Sequence, residues 1–214
     1  MISLNMTIEA GHFPLEAVLE LPSEKAAKCP AVAVCHPHPL YGGNMENNVV
    51  LSVSRSLAGA GIACLRFNFR GVGRSGGAFD NGIGEQDDLK WALEAISGRE
   101  EIDPGRIGVA GYSFGGMVAM AVGEKDNNVR AIGLISPLII PGALSECPKP
   151  KLVVSGSADS LIAPSLVLES AEAMAEPKII EIIPGADHFW WGKDDIMAEM
   201  VTDFFSESLA DRAG

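Results

Sequence analysis

The stretch Arg106-Ile107-Gly108-Val109-Ala110-Gly111-Tyr112-Ser113-Phe114-Gly115-Gly116 constrains this chain more than any other. A short apolar run enters Gly-x-Ser-x-Gly, and Met117 to Val122 continues without a breaker, which reads as a buried strand, a very tight turn and a buried helix. The serine of such a turn has a strained backbone, and side chains two residues to either side of it would collide with the neighbouring strand or helix. Gly111 and Gly115 meet that demand. The turn lifts Ser113 clear of the sheet at a helix N-terminus, whose free N–H groups favour negative charge. The implied chemistry is nucleophilic and centred on Ser113. Five residues alone describe an ordinary Gly/Ser turn equally well, so the remaining chain has to supply the serine's partners.

Read in order, Leu4 to Glu9 and Phe13 to Leu21 flank Ala10-Gly11-His12 as an opening antiparallel hairpin. Ala31 to Cys35 is a continuous apolar run, as a strand covered on both faces requires. Val49 to Ala60 follows as a helix stopped by Gly61, Ile62 to Phe69 as a buried strand, and Glu85 to Ser97 as an amphipathic helix with Leu89, Leu93 and Ile96 on one face. Beyond the elbow, Val129 to Ile135, Lys151 to Ser155 and Ile179 to Ile183 read as buried strands, with helices over Ser165 to Ala175 and Asp194 to Leu209. Apolar strands alternating with helices imply a mostly parallel central sheet with helices on both faces. No stretch has the composition of a linker, so a single α/β domain over residues 1–214 is expected.

In such a sheet reactive groups gather where strands end. The strand ending at Ser155 runs into Gly156-Ser157-Ala158-Asp159, and the one ending at Ile183 into Pro184-Gly185-Ala186-Asp187-His188. A serine hydroxyl is a poor nucleophile until a base takes its proton. The imidazole of His188 can do so near neutral pH, and a buried carboxylate must hold its tautomer and orientation. Asp159 suits that task better than Asp187, whose side chain cannot readily turn onto the ring of its own neighbour. The catalytic set expected is Ser113, Asp159 and His188. An oxyanion hole needs backbone N–H groups: Phe114, next to the nucleophile, is one, and the loop His36 to Gly43 supplies the other. Pro37 and Pro39 have none to give, so the second donor is His38, with Leu40 next in line.

Other readings of these residues are weaker. His36-x-His38 could be a metal pair, but prolines fix the loop as extended and no third ligand is close in sequence, so neither a metal nor another cofactor is expected. The glycine-rich loop Arg70 to Gly77 lacks a Gly-Lys-Ser/Thr ending and reads as a turn feeding the site's rim. Asp87 and Asp88 read as first-turn residues complementing a helix dipole. Trp190 and Trp191 read as core anchors for the last helix, with Trp190 alternatively at the pocket edge.

Net charge excludes some partners. At −12, the chain lacks the clustered Lys and Arg that nucleic acid or an anionic membrane would need, so neither is expected as a partner; a small-molecule substrate is, and association into a homodimer stays open. Cys29, Cys35, Cys64 and Cys147 show no C-x-x-C spacing, the N-terminus lacks a basic segment followed by an apolar run, and no apolar run reaches about 18 residues. A cytoplasmic protein is expected.

With these residues in place, the chain resembles the α/β-hydrolases over nearly its whole length. The His36 to Gly43 loop and Asn68-Phe69-Arg70-Gly71-Val72-Gly73-Arg74-Ser75 are similar to those of small bacterial hydrolases related to dienelactone hydrolase. The resemblance implies the α/β-hydrolase fold and ester hydrolysis. Two positions depart from the family: Ser113 stands where its best-known members use cysteine, which argues against dienelactone as substrate, and the usual His-Gly is His36-Pro37. Only Pro137 to Pro150 occupies the place where cap domains are commonly inserted, too little for a lid. The open site expected has Leu40, Tyr41, Phe114, Leu138, Ile139, Leu161 and Trp190 as apolar walls and suits short to medium acyl groups. A carboxylesterase is the first expectation, thioesterase or peptidase activity shares its chemistry, and a non-catalytic binding or sensor protein on the same fold is the alternative.

Overall fold

Eight strands form one sheet in the computed structural model of the protein, which describes residues 1–23, 28–138 and 140–211. The strands are β1 (Ile2–Ala10), β2 (Phe13–Leu21), β3 (Cys29–Cys35), β4 (Ala63–Phe67), β5 (Ile102–Tyr112), β6 (Val129–Ile135), β7 (Lys151–Gly156) and β8 (Lys178–Ile183). The helices are α1 (Asn48–Gly59), α2 (Gly84–Ser97), α3 (Phe114–Lys125), α4 (Pro164–Glu172) and α5 (Asp194–Ser208). The order is β1-β2-β4-β3-β5-β6-β7-β8; β1 and β2 form the expected hairpin, β2 meets β4 antiparallel, and all later pairings are parallel.

The central strands are apolar throughout because both of their faces are covered. Along β3, Ala31, Ala33 and Cys35 join one core cluster with Leu89 of α2, Val118 of α3 and Val167 of α4. Val32 and Val34 point the other way, into a cluster with Val53 of α1 and Phe205 of α5. Alternation with period two thus survives, hidden by two buried faces. The outermost strand breaks the expectation: β8, read as buried, is an edge strand hydrogen-bonded only to β7, and Ile179 is exposed. Its apolar composition does not distinguish one neighbour from two.

Between β6 and β7 the chain passes through turns, and Leu144 and Cys147 are buried there. The Leu144 carbonyl accepts from the N–H of Ala175, past the end of α4, at 2.9 Å, which ties the segment down; among the described residues no cap domain stands over the strand ends. No helix among the described residues is long and apolar enough to cross a membrane.

Two charged readings change. Asp87 is exposed at the start of α2 and pairs with Lys90, but Asp88 is fully buried, and its carboxylate accepts from the Arg70 backbone N–H at 2.9 Å and from Nη2 of the Arg70 guanidinium at 2.8 Å. Asp88 therefore clamps the loop after β4 to α2 rather than answering a dipole. The same loop, expected at the rim of the site, folds back onto β2: Ser75 Oγ accepts from the N–H of Glu16 and donates to the carbonyl of Asn68, while Arg74 pairs with Glu16. Glu85, also fully buried, accepts from the N–H groups of Asp80 and Gly82.

Truncating the Asp88 carboxylate would leave the Arg70 guanidinium partly buried without its hydrogen-bonded partner, with only the weaker electrostatic attraction of Glu85 and Asp80 remaining. Asp88→Ala is expected to lower the unfolding free energy by about 3 kcal/mol, read as a shift of the urea midpoint at unchanged slope. A midpoint within error of the parent chain's would show that the ion pair is not needed to hold the loop.

Candidate active site

Ser113 lies between the last residue of β5 and the first of α3, with φ 55° and ψ −116°, a conformation costing about 1–3 kcal/mol in a residue with a side chain. Surrounding bonds impose it. The Ser113 N–H donates to the Ile135 carbonyl at 2.9 Å, and its own carbonyl accepts from Gly116 at 3.0 Å and Leu138 at 3.0 Å. A Cβ on Gly111 would collide with the carbonyl of Gly115, and one on Gly115 with the carbonyl of Cys35 in β3, so both flanking glycines are dictated by close backbone approach.

Asp159 and His188 come from the ends of β7 and β8, and a second close approach brings their loops together. A Cβ on Gly156 would strike the Ala186 carbonyl, which instead accepts the Ala158 N–H at 2.9 Å, and Ser157 Oγ accepts the Gly185 N–H at 2.8 Å. Asp159 Oδ1 accepts from the N–H groups of Leu161 and Ile162 at 2.9 and 2.8 Å, which leaves Oδ2 aimed at His188 Nδ1, 2.7 Å away. A carboxylate only accepts, so the imidazole proton sits on Nδ1 and the Nε2 lone pair faces Ser113 Oγ at 3.2 Å. Asp187 makes no contact with the ring; its Oδ1 accepts the Trp191 N–H at 3.3 Å. Tyr112, buried directly behind the serine, donates its hydroxyl to the His188 carbonyl at 2.7 Å and fixes the histidine's backbone. Burial raises the pKa of that hydroxyl and keeps it a donor.

The loop after β3 forms the opposite wall. His36 is fully buried: the Phe69 N–H donates to its Nε2 at 3.1 Å, so Nδ1 carries the proton and donates to the Pro37 carbonyl at 2.6 Å. Burial lowers its pKa to about 4. The ring ties the end of β3 to the end of β4, with both nitrogens committed. His38 turns toward the cleft, its ring packed among Tyr41, Phe79 and Phe114 at centroid distances of 4.7, 5.0 and 4.9 Å. Its Nδ1 accepts the Leu40 N–H at 3.2 Å. The N–H groups of Tyr41 and Gly43 donate to the His38 carbonyl, and that of Gly42 to the Pro39 carbonyl. Among the described residues, the N–H groups of His38 and Phe114 have no acceptor.

A cavity of about 390 Å³ opens over Ser113 and His188, walled by Pro37, His38, Tyr41, Gly42, Gly43, Asn47, Tyr112, Leu161 and Phe189. Tyr41 and Leu161 stand where expected. Leu40 and Leu138 are exposed but outside the cavity wall, and Ile139 lies outside the described residues. Trp190 is a correction: at 0% exposure it is a core residue, its Nε1 donating to Ser136 Oγ at 3.2 Å, and the neighbouring Phe189, 48% exposed, takes the place at the cleft. The backbone at Trp190 has φ 61°, which turns consecutive aromatic side chains to opposite sides. Phe189, Tyr112 and Asn47 are the wall residues that the sequence reading missed; only their nearness in sequence to His188, Ser113 and the His36 loop pointed to them.

The sheet order, the elbow and a hydrogen-bonded serine, histidine and aspartate at successive strand ends define the class: an α/β serine hydrolase. Residues 82–204 match the dienelactone hydrolase family and residues 11–140 the X-Pro dipeptidyl-peptidase (S15 family), each more than half of the chain. The protein belongs to the α/β-hydrolase superfamily, among the relatives of dienelactone hydrolase. An uncharacterized protein of Rickettsia prowazekii is 34% identical over 186 residues, 82% of this chain and 78% of that protein. An α/β serine hydrolase homologue from Coxiella burnetii superposes with a TM-score of 0.86 at 30% identity, covering 95% of this chain and 97% of that one. A serine hydrolase without a lid from Xanthomonas campestris does so with 0.86 at 31% identity, covering 98% and 96%.

The buried His36 gives stability a defined pH dependence. Its folded-state pKa, about 4, lies below the ordinary value of 6.5, so its contribution is complete above pH 6.5 and is lost as pH falls toward 4. Between pH 7 and 4 the advantage of the parent chain over His36→Gln in urea unfolding is expected to shrink by about 3 kcal/mol. A constant difference across that range would contradict the neutral, buried assignment.

Proposed function

We propose that this protein hydrolyses carboxylic esters of short to medium acyl length through an acyl-enzyme on Ser113. The observation that carries the reading is the disposition of the His188 ring, with its Nδ1 held by Asp159 at 2.7 Å and its Nε2 3.2 Å from the Ser113 hydroxyl. His188 takes the proton as Ser113 Oγ attacks the carbonyl, and Asp159 stabilises the imidazolium that forms. The oxyanion lies between the N–H groups of Phe114 and His38. Phe114 starts α3 and has no acceptor within the helix, and every other N–H from Leu40 to Gly43 is already spent within the loop. Collapse of the tetrahedral adduct breaks the bond to the alcohol oxygen, which leaves with the proton from His188. A water, deprotonated by the same nitrogen, then releases the acid and restores the serine. No metal or cofactor is required by any of these steps. The similarity of residues 11–140 to X-Pro dipeptidyl-peptidases supports a second reading on the same machinery, in which the bond cleaved is an amide.

Ser113→Ala is expected to remove p-nitrophenyl ester turnover by a factor of about 10⁴ to 10⁶ and to abolish labelling by a fluorophosphonate probe. Asp159→Asn should lower kcat by about 10³ to 10⁴, whereas Asp187→Asn, whose side chain does not reach the ring, should stay within about threefold of the parent. Turnover in the serine variant, or a dead Asp187 variant beside an active Asp159 one, would refute the assignment. An unlabelled parent chain would favour a binding or sensor protein, and faster cleavage of dipeptidyl p-nitroanilides than of esters would favour the peptidase.

The open cleft sets the chain-length preference. Each methylene contributes about 0.8 kcal/mol only when it leaves water, and the short segment between β6 and β7 offers no cover for a long chain. Across p-nitrophenyl esters from acetate to palmitate, kcat/KM should rise over the first few carbons and then level off. A rise that continues through the longest esters would mean that some other surface buries the chain.

A further inference from the structure

Charge at the cleft narrows the substrate class further, given the esterase reading above. Among the described residues, the cavity over Ser113 is walled by backbone, aromatic and apolar groups, with Asn47, the two histidines and the two tyrosines as its neutral polar members and no lysine or arginine. The arginines at the ends of the neighbouring strand are already committed. Arg66 of β4 donates to Glu46 and lies 3.6 Å from Glu20, and Arg70 is held by Asp88. Two carboxylates stand beside the cleft, Asp159 against His188 and Asp187 before it, while Glu85, behind the aromatic cluster, interacts with both Arg70 and His38. His38 itself offers no fixed positive charge, since Nδ1 spends its lone pair on the Leu40 N–H. A chain with a net charge of −12 surrounds the whole. At the rim, Tyr41, Leu161 and Phe189 are 87%, 63% and 48% exposed, so the surface met by the part of the substrate beyond the ester bond is uncharged and mostly apolar.

We propose that the cleft selects esters with uncharged acyl groups and discriminates against those bearing a carboxylate, because the wall supplies apolar contact and no counter-charge. A carboxylate entering it would give up hydration without gaining a partner and would approach a surface of its own sign. A lactone or ester that carries a free carboxyl is therefore a poor substrate for this chain.

The test compares kcat/KM for p-nitrophenyl hexanoate, mono-p-nitrophenyl adipate and methyl p-nitrophenyl adipate, in which one end group changes from methyl to carboxylate to methyl ester. The adipate monoester should be slower than the methyl adipate by at least about tenfold at low salt, with the gap narrowing as ionic strength screens the charge. Leu161→Arg, which places a cation on the rim, should shrink the ratio between those two esters at least about threefold, whatever it does to the absolute rates. Equal rates for the monoester and its methyl ester at low salt, or an unchanged ratio in the arginine variant, would overturn the proposal. A parent chain that turns over none of the three and is not labelled at Ser113 would overturn the esterase reading, and this inference with it. Turnover of the two neutral esters beside equal turnover of the monoester would overturn this inference alone.

Discussion

The contact on which the cleft depends is between backbones. Helix α3 can start where it does only because Gly115 lets it come down onto the carbonyl of Cys35, and the chain can turn into that helix only because Gly111 lies against the carbonyl of Gly115. From these two approaches follow the positive φ of Ser113, the free N–H of Phe114 and the distance from α3 to the loop after β3. The same device recurs at Gly156, where a missing side chain lets the Asp159 loop lean on the backbone of Ala186. Three close approaches therefore set three side chains in line, and the remaining sheet keeps those approaches rigid.

What the sequence made legible was whatever is encoded by local rules. The elbow, the strand-end positions of Asp159 and His188, the opening hairpin and the choice of Asp159 over Asp187 all follow from residue type and spacing. What it concealed depends on partners distant in the chain or on backbone sign. Asp88 reads locally as a helix-start acid, and only its contact with Arg70, across the loop after β4, reveals a buried clamp. In β8 the apolar run looks like that of any central strand, because a missing neighbour leaves no mark on composition. Among Phe189, Trp190 and Trp191, which ring faces the cleft is decided by a positive φ that no residue in the triplet announces.

Histidines divide the labour at the β3 wall. His36 is held at both nitrogens and serves as a strut between strand ends, while His38, two residues on, packs its ring into an aromatic cluster and presents its backbone to the site. Strand alternation would put residues two apart on one face, so the two rings reach different environments because the chain has left β3 at Cys35 and turns into a short 3-10 helix at Pro39–Tyr41. Pro37 and Pro39 have no N–H to place in this loop, and the two histidine rings supply hydrogen bonds that hold it: His36 to the Phe69 N–H and the Pro37 carbonyl, His38 to the Leu40 N–H.

Burial of Trp190 has an optical consequence. Its indole is sealed in the core two residues after His188 and is bonded to Ser136 at the end of β6, whereas Trp191 is 71% exposed. Emission from a sealed indole is blue, and it reddens when water arrives. The chain thus carries, within the loop that bears the histidine, a native fluorophore whose colour reports whether that loop is seated.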